Sequence, residues 1–103
     1  MWLQVCFDLP VLTKKQRRQY TIFRKKILED GFIQMQYSVY IRYCASPETA
    51  DVHERRIQTW VPPEGHIWVI RLTDSQYGNS RHFWGKNKAK KDNLGPGAQL
   101  ELF

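Results

Sequence analysis

With 103 residues, 42% hydrophobic and 25% charged, the chain has the size and composition of one globular domain rather than of a disordered segment. Sixteen Lys and Arg against ten Asp and Glu give a formal charge of +6 and a pI near 9.6. That balance points to an anionic partner: nucleic acid, an acidic protein or an anionic surface.

Taken in chain order, residues 2–8 read as a strand with Leu3, Val5 and Phe7 on one face and Trp2, Gln4, Cys6 and Asp8 on the other. "LQVCFDLP" ends that apolar run in an aspartate and a proline. Either Asp8 accepts hydrogen bonds from the loop that follows, or it faces a site where negative charge is useful. Thr13 is placed to cap a helix, "KKQRRQYTIFRKKILED", closed by Gly31. Gln16, Tyr20, Phe23 and Ile27 form one stripe of that helix, and Lys14, Arg17, Arg18 and Lys25 project from the opposite side. "FIQMQYSVYIRY", 32–43, is rich in β-branched and aromatic residues and too long for one simple strand, so a bend or bulge is expected near Met35–Gln36. Pro47 opens a second helix, "PETADVHERRIQTW", with acids early and Arg55–Arg56 late.

"VPPEG" is a turn, and "HIWVIRLT", 66–73, is a strand with apolar residues on both faces, which predicts a central position in the sheet. "DSQYGNS" reads as a short turn or a single helical coil, and "RHFWGK", 81–86, as a fourth strand. "NKAKKDNLGPG" is a basic linker, and "AQLELF" closes the chain with strand-like alternation. The division is therefore a domain over 1–86 and a linker with a C-terminal strand over 87–103.

The order β-α-β-β-α-β with an appended strand predicts an α+β fold of ferredoxin-like type, an antiparallel sheet with both helices on one face. The other face, carrying Trp2, Cys6 and part of 32–43, is too apolar to stay wet, and an isologous homodimer is the simplest cover. No apolar stretch approaches the roughly 20 residues of a membrane-spanning helix. "MWLQVCFDLP" lacks the features of a secretory signal. Cys6 and Cys44 read as two free thiols, so the expected location is cytoplasmic, away from membranes.

Seven Lys and Arg fall between positions 14 and 26, with acids only at Glu29 and Asp30. Solvated helix faces normally mix signs. A single-sign track suits the phosphate backbone of a duplex, where Lys and Arg displace condensed counterions. Lys14, Arg17, Arg18 and Lys25 are accordingly the candidate nucleic-acid contacts, and Lys86, Lys88, Lys90 and Lys91 extend the charge. The aromatics fall mainly in strands or in the helix stripe, hence expected to be buried, which favours duplex binding over stacking on single strands. Ser38 and Tyr40, spaced to share a strand face, are candidates for a dimer seam or a phosphate contact, or for a packing pair at a sheet edge. His53, His66 and His82 are scattered without zinc-ligand spacing.

"VCFDLP", the basic helix after it, and "GFIQMQYSVY" at 31–40 together resemble the CRISPR-associated Cas2 family over essentially the whole chain, most specifically in Gly31–Phe32 followed by Gln36, Ser38, Val39 and Tyr40. The "FDLP" form looks most like members from systems with a single RNA-guided effector nuclease. The resemblance implies a homodimeric adaptation subunit that works with an integrase subunit and with double-stranded DNA, and a tail that holds the other protomer and the integrase. It also implies that Asp8 is a metal ligand, paired with its twin across the dimer and holding Mg²⁺ or another divalent cation. A cation there would support a metal-dependent endonuclease acting on RNA or DNA, with Asp8 as its catalytic residue. A third reading on the same fold is an RNA-binding module of RRM type, against which stands the lack of a Gly-aromatic motif with exposed rings.

Overall fold

The structure, a computed structural model, describes residues 1–86, and the linker and strand expected over 87–103 lie outside them. Its elements run β1 (Trp2–Asp8), α1 (Lys14–Glu29), β2 (Ile33–Gln36), β3 (Val39–Tyr43), α2 (Pro47–Trp60), β4 (His66–Leu72) and a short α3 (Asp74–Gly78). The strands form one antiparallel sheet in the order β2-β3-β1-β4, the ferredoxin-like arrangement.

Local chemistry sets each boundary. Thr13 and Gln16 form a reciprocal capping box at the start of α1. At its end the Phe32 amide donates to Ile27 O and the Gly31 amide to Leu28 O, with Gly31 at φ +90°. That closure needs a left-handed residue, which glycine supplies without a Cβ penalty. Ser46 caps α2, and Pro47 occupies its first turn, where no amide is missed. The bend expected near Met35–Gln36 is a register shift between Gln34 and Gln36, followed by the turn that divides β2 from β3.

Leu3, Val5 and Phe7 of β1 are buried against Phe23 and Ile27 of α1 and Ala50 and Ile57 of α2. The Phe7 ring meets Phe23 edge-on at 5.0 Å and stacks on Tyr40 at 5.3 Å. Both helices therefore cover one face. The other carries Trp2, Gln4, Cys6 and Asp8 with their cross-strand partners Ile41, Tyr43, Trp68 and Leu72. On that side Ile33, Tyr43 and Trp68 are 69%, 48% and 59% exposed, so the apolar surface expected there is present.

Two expectations fail. Among the described residues β4 lies at an edge of the sheet, where a central position was expected. Its two apolar faces arise because Ile67 and Val69 pack beside the helix-side core while Trp68, Ile70 and Leu72 line the uncovered side. Residues 81–86 are irregular and exposed, not a strand. The β-α-β-β-α-β order is already complete at Leu72, and α3, itself capped by a Thr73–Gln76 box, follows β4 directly.

A buried polar cluster joins the helices. The Asp30 side chain is 6% exposed, with His53 Nδ1 2.5 Å from Oδ2 and Arg56 donating to Oδ1 at 2.7 Å. The Asp30 carbonyl also accepts from Arg42 on β3. Asp30→Ala would leave the buried His53 ring without its partner. The expected loss is about 3 kcal/mol, read as a lower denaturation midpoint with an unchanged m-value.

Candidate nucleic-acid and metal-binding site

β1 delivers Asp8 to the uncovered side of the sheet, exposed and at the end of the strand. The loop after it finds its acceptors elsewhere. Gln16 Oε1 accepts from the Leu12 and Thr13 amides at 2.9 and 3.0 Å, and Arg17 donates to the Val11 and Leu12 carbonyls at 3.1 and 3.0 Å. Among the described residues nothing donates to the Asp8 carboxylate. The loop-capping alternative for this residue is thus met by Gln16 and Thr13.

Across the ladder Asp8 stands opposite His66, the first residue of β4. Gly65 makes the approach possible. It sits at φ +105°, and a Cβ there would lie 2.6 Å from Leu9 Cδ2 and 2.8 Å from the Asp8 carbonyl oxygen. Gln16 Nε2 donates to Glu64 at 3.0 Å and holds the same turn from the other side. Cys6 lies two residues back on the Asp8 face, and burial pushes its thiol up, so it stays protonated at neutral pH.

Ser38 and Tyr40 do not share a strand face. Ser38 lies in the turn at φ +62°, and its carbonyl accepts from the Phe7 amide at 3.1 Å, which sets it beside the end of β1. Tyr40 points to the helix side and is fully buried, its hydroxyl accepting from Arg24 Nε at 2.8 Å. The bulge and turn ahead of β3 fix this parity. Sequence reasoning missed the Tyr20 phenol, which lies near Tyr37 and Ser38 and whose ring packs 5.8 Å from Phe7. Burial, then Tyr37, pushes the Tyr20 phenol up. It is therefore a hydrogen-bonding group at neutral pH and not a nucleophile.

Lys14, Arg17, Arg18 and Lys25 are all exposed, as are Lys15 and Lys26. Within this set only Lys25 meets an acid, Glu29 at 3.9 Å. Arg24 instead turns inward to Tyr40 and Gln34. Arg17 has one nitrogen engaged by the loop carbonyls. The first turn of α1 contains no acid and begins with two lysines, against the preference of the helix dipole.

Asp8 fits a hard divalent cation in donor type, since Mg²⁺ takes one or two carboxylates with water and phosphate. Among the described residues no three His, Cys, Asp or Glu converge. A cation held there would need to take the rest of its shell from outside these residues.

Two substitutions test this geometry. Gly65→Ala is expected to cost about 1–2 kcal/mol or more, because φ is positive and the Cβ strikes Leu9. Tyr40→Phe is expected to cost about 1–2 kcal/mol in denaturant unfolding, because Arg24 loses an acceptor, while nucleic-acid affinity stays unchanged.

A sequence model of the family described as CRISPR associated protein Cas2 matches residues 1–80. A protein of Flavobacterium psychrophilum named CRISPR-associated endoribonuclease Cas2 is 48% identical over 103 residues, covering 100% of this chain and 88% of that protein. A protein of the same name from Parvibaculum lavamentivorans is 47% identical over 100% of both chains. Another, from Ligilactobacillus salivarius, is 42% identical over 91 residues, 88% of this chain and 89% of that protein. With the ferredoxin-like sheet and the family's motifs in place, these matches establish that the chain belongs to the Cas2 family.

Proposed function

We propose that the protein is a homodimeric adaptor that bridges integrase dimers and holds duplex prespacer DNA for integration into a CRISPR array. Membership of the Cas2 family supports a role in CRISPR adaptation. The observation that carries the adaptor reading is the outer face of α1. Lys14, Lys15, Arg18, Lys25 and Lys26 stand exposed on one element, with a single long ion pair among them. Placing lysines at the first two helical positions costs a few tenths of a kcal/mol each, and an anionic phosphate offsets that cost.

The uncovered sheet side supports the dimer. Ile33, Tyr43 and Trp68 give a second copy apolar area to bury, and two-fold pairing would present two basic stripes. The outer edge of β4 is unpaired among the described residues, and a groove of about 330 Å³ lined by Ile57, Val61, Ile67 and Val69 lies beside it. That edge and groove suit the tail over 98–103, added as a strand from this chain or from the other protomer.

A metal-dependent endonuclease is the second reading, and the exposed, unengaged Asp8 carboxylate favours it. A bound Mg²⁺ would stabilise charge on a phosphate and lower the pKa of its water. Asp8 would hold the cation. A third reading, single-stranded RNA on the open sheet, gains from Trp68 and Tyr43, whose rings are more exposed than the sequence implied.

Charge reversal at Lys14, Arg18 and Lys25 is expected to weaken duplex binding equally for all sequences. The log–log salt slope should flatten by about 0.9 for each phosphate the variant no longer neutralises. Unchanged affinity and slope would refute the duplex track. Asp8→Asn is expected to leave the dimer, duplex binding and integrase-dependent insertion intact; loss of insertion with assembly preserved would install the enzyme reading. Trp68 fluorescence decides between covers for the open face. A change on dilution through the dimer range supports self-association, and a monomer whose fluorescence responds only to single-stranded RNA overturns it.

A further inference from the structure

Asp8 and His66 are directly opposed residues of antiparallel strands. Such residues project from the same face with Cβ atoms about 4.5–5.5 Å apart. Both side chains are exposed, and no hydrogen bond or ion pair among the described residues engages either one. The pair is therefore not a closed salt bridge but two unused donors side by side. Its spacing is held from below by the sheet and from the side by Gly65, whose close approach to Asp8 and Leu9 fixes where β4 begins. Sites carried on strands hold their geometry better than sites on loops.

The other histidines offer nothing comparable. His53 is buried against Asp30, and His82 lies in the irregular segment past α3. His66 alone places an imidazole beside the acid at the end of β1.

A lone carboxylate is a hard oxygen donor and suits Mg²⁺. Adding an imidazole nitrogen changes the donor set, because nitrogen ligands favour Mn²⁺, Co²⁺, Ni²⁺ and Zn²⁺ over Mg²⁺. We propose that His66 is a metal ligand together with Asp8, and that this nitrogen–oxygen pair makes the site selective for divalent transition ions over Mg²⁺. The inference rests on the reading of Asp8 as a cation ligand and is independent of the duplex track. Each protomer supplies the pair, and water or phosphate oxygens fill further positions.

The test is Mn²⁺ binding to the full chain, followed by pulsed electron paramagnetic resonance for nitrogen coupling to the ion. Wild type is expected to bind Mn²⁺ in preference to Mg²⁺ and to show a nitrogen coupling that shifts on ¹⁵N-histidine labelling. His66→Ala, and His66→Gln as a second variant, should lose that coupling and about tenfold or more in Mn²⁺ affinity, with Mg²⁺ affinity unchanged. Far-ultraviolet circular dichroism checks that both variants stay folded. Mn²⁺ binding that needs Asp8 but shows no histidine coupling and survives both His66 substitutions overturns the proposal and leaves Asp8 as the ligand. Mn²⁺ binding that Asp8→Asn does not alter overturns both.

Discussion

The alternation of β1 is the constraint on which the other placements depend. Leu3, Val5 and Phe7 face the helices and build the core, so Trp2, Gln4, Cys6 and Asp8 have no choice but the other side. A one-residue slip would bury the aspartate and expose three apolar side chains. The buried set forbids that slip, because Val5 is matched to Tyr40 on one side and to Val69 on the other. The position of a functional candidate is thus fixed by residues that never touch it.

The same logic orients the basic helix. Phe23 and Ile27 anchor one side of α1 in the core, and the Asp30 cluster locks its C-terminal end to α2. Arg42 adds a bond from β3 to the Asp30 carbonyl. At the far edge Arg71 on β4 donates to Glu54 at 2.7 Å and to Asp51, and these two acids hold its guanidinium more firmly protonated than usual. With both helices held, the cations of α1 face outward as a set. Arg24 is the exception that explains itself: next to Lys25 in sequence but on the inner side in angle, it caps the buried Tyr40 hydroxyl.

Much of this was legible because the signals were local. Thr13, Gly31 and Pro47 announce helix ends through chemistry that acts within a few residues. What failed depended on neighbours distant in sequence. Whether β4 lies at the centre or the edge is a matter of strand order, and apolar residues on both its faces look the same in either case. Residues 81–86 include strand-forming side chains, yet the sheet order is already complete at Leu72 and α3 comes between β4 and them. The parity of Ser38 against Tyr40 turned on a bulge located only to within a residue or two. His66 was passed over because linear spacing carries no information about a ladder partner 58 positions away. The family's motifs reached Asp8, Ser38 and Tyr40, but not what each one faces.

The uncovered side of the sheet is itself divided. At one end α3 lies over it, with the Tyr77 ring stacked on Trp2 at 4.2 Å and Tyr43 meeting Trp2 edge-on at 5.2 Å. At the other end Trp68, Asp8 and His66 stay exposed. A second molecule that settles on this side meets the half that α3 leaves open, and there the apolar area and the donor pair are neighbours: Trp68 is two residues from His66 and opposite Cys6. Covering Trp68 would therefore also lower the water content around Asp8 and His66, and lower dielectric strengthens the hold of a carboxylate on a cation. Under the proposed dimer and the proposed ion site, assembly and ion binding on this face would be coupled by proximity, through the strand that carries both.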